Sequence, residues 1–198
     1  MTINRVLNLR CAGCGAPVST EQKHCAYCGR EIIISSYGTI ESLTPLELNK
    51  SLTAYRQALT ENGDNSNLNF SLAMCYLRLK LYDNAISFFD KAINSDPFIA
   101  DYYFYRACAT LKGKTPFLLP RKEIDLTEQY ILSAITTEQK PIYYYLYAYV
   151  RYEYFFRKCF NVRPKYNELF QEALNLGLSE KDINTFYAII GQKRPEKL

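Results

Sequence analysis

Residues 11–29 read CAGCGAPVSTEQKHCAYCG, two CxxC pairs each followed by a glycine, Gly15 and Gly29. Glycine at that point permits the tight backbone turn that aims two thiolates at one ion, and two such turns supply four sulfurs. Four thiolates are the donor set of a closed, tetrahedral structural zinc site, with Zn–S distances near ~2.3 Å. Cys11, Cys14, Cys25 and Cys28 are therefore the expected ligands of one structural Zn2+ ion. An iron or iron–sulfur centre uses the same donors, and the spacing alone does not separate the metals. A redox CxxC of thioredoxin type would sit beside a βαβ pattern, and the flanking sequence has none. His24, the one histidine of the chain, adjoins Cys25 and reads as a loop residue near the metal.

A segment of about 30 residues cannot bury enough surface to fold without a staple. Zinc supplies one, with apparent binding free energies of roughly 10–16 kcal/mol in small zinc peptides. The paired CxxCG turns resemble the short zinc ribbons that open many bacterial multidomain proteins, which implies a ribbon over residues 1–34. Residues 35–43 then read as a linker. Ile32–Ile34, just before it, suit either a closing strand of the ribbon or a plug on the end of a helical stack.

Helical periodicity takes over from Thr44. Thr44-Pro45-Leu46-Glu47 has a threonine N-cap, proline at the first helical position and glutamate three residues after the cap, so a helix is expected from Pro45 to about Glu61. In residues 66–97, Leu72, Ala73 and Tyr76 share one helical face and Ala85, Phe89 and Ala92 another. A break lies at Leu81–Asn84, and Pro97 stops the second stripe. The small alanines let two helices approach closely while Tyr76 and Phe89 fill the space beside them.

That pattern resembles the tetratricopeptide repeat, a helix–turn–helix unit with a period of about 34 residues. Asn69 stands where the usual tryptophan would be. One such unit cannot bury its apolar faces alone, so copies should stack on either side. One period back, Ala92 and Phe89 map to Ala58 and Tyr55; one period forward, Ala73 maps to Ala107. Later copies are stretched, with Ala134, Ala148, Phe170 and Ala173 in the corresponding roles. The resemblance implies a mainly α fold, a tetratricopeptide-like antiparallel helix-pair array (an α-solenoid) over 44–191, with pairs at 66–97, 100–137 and 141–177. Ser179 with Asp182 starts a last, capping helix ending near Gly191, and 192–198 is a tail.

Composition bounds the function. The chain has 24 Lys+Arg against 20 Asp+Glu, a net charge of +4, too mild by itself to argue for nucleic acid. No secretory leader and no apolar run long enough to span a membrane is read from the sequence. Seven cysteines, four of them in CxxC pairs, do not form a secreted disulfide framework, so a reducing cytoplasm is expected. Cys75, Cys108 and Cys159 fall on expected helices and read as small buried hydrophobes. Gly113-Lys114-Thr115 is not a phosphate loop, because Cys108 stands where its first glycine must be.

With one histidine, no framed acid pair and no nucleophile motif, the chain is not expected to be an enzyme, nor to take a small-molecule substrate. The tetratricopeptide resemblance implies instead an adaptor whose first helices line a groove for a partner peptide or helix. Phe70, Met74, Leu77, Phe104, Tyr145, Tyr149 and Tyr152 would line it, with Cys108 and Leu111. Family members that grip a C-terminal carboxylate place lysine and asparagine where this chain has Phe70 and Met74, so that clamp is not matched. The alternative is nucleic-acid binding: Arg5, Arg10, Lys23 and Arg30 surround the ribbon, and Arg151, Arg157, Lys158, Arg163 and Lys165 form a second basic run among aromatic residues.

Overall fold

A computed structural model describes residues 7–198. The chain divides into two compact units, Met1–Pro97 and Phe98–Leu198. In the first, a hairpin of β1 (Asn8–Arg10) and β2 (Pro17–Ser19) pairs Leu9 with Val18. Four helices follow: α1 (Tyr37–Glu41), α2 (Pro45–Asn62), α3 (Ser66–Arg78) and α4 (Tyr82–Ser95).

The expected start of α2 is present. The Thr44 hydroxyl accepts from the Glu47 N–H, and the Glu47 carboxylate accepts in return from the Thr44 N–H at 2.9 Å. Helix α3 is buried nearly all round, from Leu68 to Leu77, because it packs against α1, α2 and α4 at once. Helix α4 buries one stripe only, Ala85, Phe89 and Ala92. The turn between them is closed by Lys80 in the left-handed region (φ 59°), with the Leu81 N–H reaching the Tyr76 carbonyl at 2.9 Å. Asn69, in the tryptophan's place, is fully buried and its side-chain amide finds no hydrogen-bond partner among the described residues.

Ala73 and Ala92 are wholly inaccessible. Ala73→Leu and Ala92→Leu are each expected to cost about 1–3 kcal/mol, since the added carbons have nowhere to go without moving a helix. Urea unfolding midpoints measure this; unchanged midpoints for both would mean the helices are not in close contact there.

One feature of this unit differs from the sequence expectation, and a second matches one of the two alternatives read there. Residues 35–43 are not a bare linker: Ser36 caps the short helix α1, which buries Tyr37 and Ile40. Ile32 and Ile34 form no strand; they are buried as a plug against the helices. The Tyr55 hydroxyl of α2 donates to the Ile32 carbonyl at 2.8 Å, and the Ile34 N–H donates to the Ser71 hydroxyl of α3 at 3.0 Å.

The second unit holds α5 (Ala100–Thr110), a 3₁₀ turn at Pro116–Leu118, α6 (Arg121–Thr137), α7 (Pro141–Val150), α8 (Tyr166–Asn175) and α9 (Glu180–Ile190). Helices α5 and α6 pair, α7 and α8 pair, and α6 joins the pairs through α7. Asp101 in the first turn of α5 ties to the start of α7: it accepts from the Tyr143 hydroxyl at 2.5 Å and from Lys140 at 3.1 Å. Helix α9 has the expected Ser179–Asp182 capping box and ends on Gly191 at φ 65°.

Helix α7 does not continue as an α-helix beyond Val150. From Arg151 to Phe156 it widens into a π-helix, the Arg157 N–H reaching back five residues to the Tyr152 carbonyl at 3.1 Å. Glu128 of α6 faces this segment, its Oε1 2.9 Å from Arg151 Nε. The Arg151 guanidinium lies between the rings of Tyr147 and Phe155, 5.0 and 4.5 Å from their centres.

Candidate functional site

The hairpin and the second turn carry the four cysteines. In each turn the glycine after the second cysteine bonds back to the first: the Gly15 N–H to the Cys11 carbonyl and the Gly29 N–H to the Cys25 carbonyl, both at 2.8 Å. Gly15 and Gly29 sit at φ 77° and 71°, where a side chain would be strained. Gly13 serves a different need, since a Cβ there would stand 3.2 Å from Cys28 Sγ.

The four sulfurs lie within 4.8 Å of one another. Cys11 Sγ is 3.5 Å from Cys28 Sγ, and Cys14 Sγ is 3.7 Å from Cys25 Sγ. A tetrahedron of bonds near ~2.3 Å has edges of about 3.8 Å, so the donor set fits a tetrahedral ion. Cys11 and Cys25 are buried, Cys14 and Cys28 exposed.

The thiol chemistry agrees with that geometry. The Tyr27 backbone N–H, followed by the Cys28 N–H and the neighbouring thiols, outweighs burial and pulls Cys25 down to about 7. At Cys28 the Arg30 N–H pulls the same way, but the Cys11 thiol, burial and the remaining two cysteines push it up to about 11. Four thiols this close ionise in succession, the last with difficulty, and a dication among them removes that difficulty. His24 is exposed and outside the cluster; its backbone bridges to Glu31.

The cluster is anchored to the helices through a residue that sequence reading placed elsewhere. Arg30 makes an ion pair with Glu47, the capping glutamate of α2. The Thr44 N–H, then Arg30, hold the Glu47 carboxyl at about 2. Arg30 is thus engaged within the fold, while Arg10 and Lys23 are exposed; Arg5 lies outside the described residues. Two shallow clefts run between the hairpin and α2, one of about 540 Å³ beside Cys11–Gly15 and one of about 380 Å³ beside Leu9 and Pro17.

The residues expected to line a groove are placed differently. Phe70, Met74, Leu77, Phe104, Tyr145 and Tyr149 are buried, as are Cys108 and Leu111, and Tyr152 is half-buried. Tyr145 and Tyr149 are covered by α9: each makes edge-on contacts with Phe186 and Tyr187, and the Tyr145 and Tyr187 hydroxyls are 3.0 Å apart. These side chains are core in this structure. Helix α3 packs against α1, α2 and α4, and helix α7 against α6, α8 and α9. Tyr152 stacks on Phe156 and meets Tyr166 edge-on.

Cys75 and Cys108 are buried, as expected, and burial pushes the Cys75 thiol up to about 12. Cys159 is a correction: it is exposed, in the turn after the π-helix, at φ 60°. The sequence gives little warning there, because the wider π turn shifts every later residue out of the α-helical register.

The second basic run lies around an open cleft of about 620 Å³ between the π-helix and the start of α8, lined by Phe155, Phe156, Phe160, Val162 and Tyr166 with Arg157 and Lys165. No helix among the described residues is long and apolar enough to cross a membrane.

The chain has no significant match to a curated protein. A family model for the tetratricopeptide repeat matches residues 66–98, which are α3, the Lys80 turn and α4. Residues 66–98 are therefore a tetratricopeptide repeat, set in a mainly helical-repeat chain behind a cluster of four cysteines.

Proposed function

We propose that this protein is a non-catalytic interaction module whose helical repeats bind another protein, and that Cys11, Cys14, Cys25 and Cys28 hold one structural Zn2+ ion. The observation that carries the first part is the tetratricopeptide repeat at 66–98, since stacked repeats of this kind serve as scaffolds for protein recognition. The zinc reading is supported by the all-sulfur donor set and its near-tetrahedral spacing. Four protein ligands would leave the ion no open position, so its role would be to fix the ribbon. Free thiols at Cys75 and Cys108 suit a reducing compartment.

Because Tyr145 and Tyr149 are enclosed, the partner surface is sought among exposed residues. The test is capture from the native host with the intact, tagged chain, followed by reconstitution with the purified candidate. A saturable one-to-one complex that survives moderate salt and nuclease treatment is expected. Recovery of nucleic acid alone, with binding that falls steeply with salt, would favour the nucleic-acid alternative.

A further inference from the structure

The charge of this protein is concentrated in one place. Five of its 24 lysines and arginines but only one of its 20 acidic residues fall within 151–167, so the excess of +4 resides there and the remainder is neutral. That segment also forms the open cleft of about 620 Å³. Its apolar residues are unusually accessible: Phe156 is 47 % exposed, Phe160 50 % and Val162 37 %.

The cations divide into two sets. Arg151 is buried against Glu128, Arg157 pairs with Glu153, and Lys158 lies over the rings of Phe117 and Tyr154, so these three are committed to the fold. Arg163 and Lys165 are exposed and pair with no carboxylate among the described residues. Glu168, the next acid, is occupied in capping α8, accepting from the Lys165 N–H at 2.9 Å. Lys165 therefore lines a cleft with an apolar interior as an unpaired cation, and Arg163, adjacent in sequence to the lining residues Val162 and Pro164, is a second one.

We infer that the cleft between the π-helix and α8 is a docking site for an acidic peptide segment of a partner, its phenylalanine or leucine side chain entering among Phe156, Phe160 and Val162 while its carboxylates meet Arg163 and Lys165. This rests on the protein-binding reading above and names the surface and the partner's chemistry. A second copy of the chain is a poor occupant, because the same excess of positive charge would face itself. Single-stranded nucleic acid fits less well. It needs open ring faces on which bases stack, whereas the Phe160 ring is already packed beside Tyr154 and Phe155. The concave apolar interior is the form that takes a side chain.

The test uses the full chain and a fluorescent synthetic peptide in which glutamates alternate with phenylalanine and leucine. Binding is expected, weakened about tenfold by Arg163→Glu/Lys165→Glu and again by replacing the peptide's glutamates with glutamine. Phe160→Ala should weaken it with the charges intact, and circular dichroism should confirm that each variant stays helical. Equal affinity of wild type and the charge-reversed variant overturns the site, as does tighter binding of a single-stranded oligonucleotide than of the peptide. Capture of the host partner that persists in Arg163→Glu/Lys165→Glu also overturns the site while leaving the protein-binding reading standing. A wild-type chain that captures no protein fails that reading itself.

Discussion

Cys11→Ser/Cys14→Ser protein is expected to fail to bind the proposed zinc ion and to lose the order of residues 7–34 while α3 and α4 stay folded. The segment is too short to offset its chain entropy by burial, and the ion supplies roughly 10–16 kcal/mol in comparable peptides. The damage should not stop at residue 34. Arg30 holds Glu47, the Tyr55 hydroxyl holds the Ile32 carbonyl, and the Ile34 N–H is bound to Ser71. Losing these partners should loosen 45–62, whose ribbon-facing side then meets water. Helices α3 and α4 keep their own packing, with Phe70 against Phe89 and with Ala73 and Ala92 buried, and should keep their order. Native mass spectrometry of the wild type should show one zinc. Hydrogen exchange on the variant should then show protection gone across 7–34, reduced across 45–62 and retained across 66–95. Iron in place of zinc would overturn the metal assignment, and loss of protection throughout Met1–Pro97 would show that unit to be one cooperative core resting on the metal.

The second large effect is expected at Tyr145. Tyr145→Ala should destabilise the protein by about 3–5 kcal/mol, the range for deleting a buried aromatic ring. The ring is wholly inaccessible and contacts Phe170 of α8 and Phe186 of α9. Tyr145→Phe keeps the ring and removes only the hydroxyl paired with Tyr187, so about 1 kcal/mol is expected there. Urea unfolding of the two variants separates a packing role from a recognition role. A Tyr145→Ala protein as stable as wild type would mean that α9 does not close over α7, and the enclosed groove would have to be reconsidered as a surface.

How far these residues could be read without a structure varied with the range of the interaction. Local rules were legible. The Thr44–Glu47 and Ser179–Asp182 caps, the CxxCG turns and the small-residue stripes of 66–97 involve residues a few positions apart, and their chemistry is written in the spacing. The sequence therefore determined by itself that a four-sulfur cluster precedes helices of tetratricopeptide type. It could not say which apolar face each helix would bury. Tyr145 and Phe70 look alike whether they line a groove or a core, because helical periodicity marks an apolar face and leaves its covering unstated. Only the tertiary structure decided that, by laying α9 over α7 and closing α3 between its neighbours. The same holds for Arg30, whose partner lies 17 residues away, and for the π-helix at Arg151–Phe156, where one wide turn exposes Phe156, Phe160 and Cys159. Contacts made across the chain depend on which elements meet, and that choice is settled only when all of them are packed together.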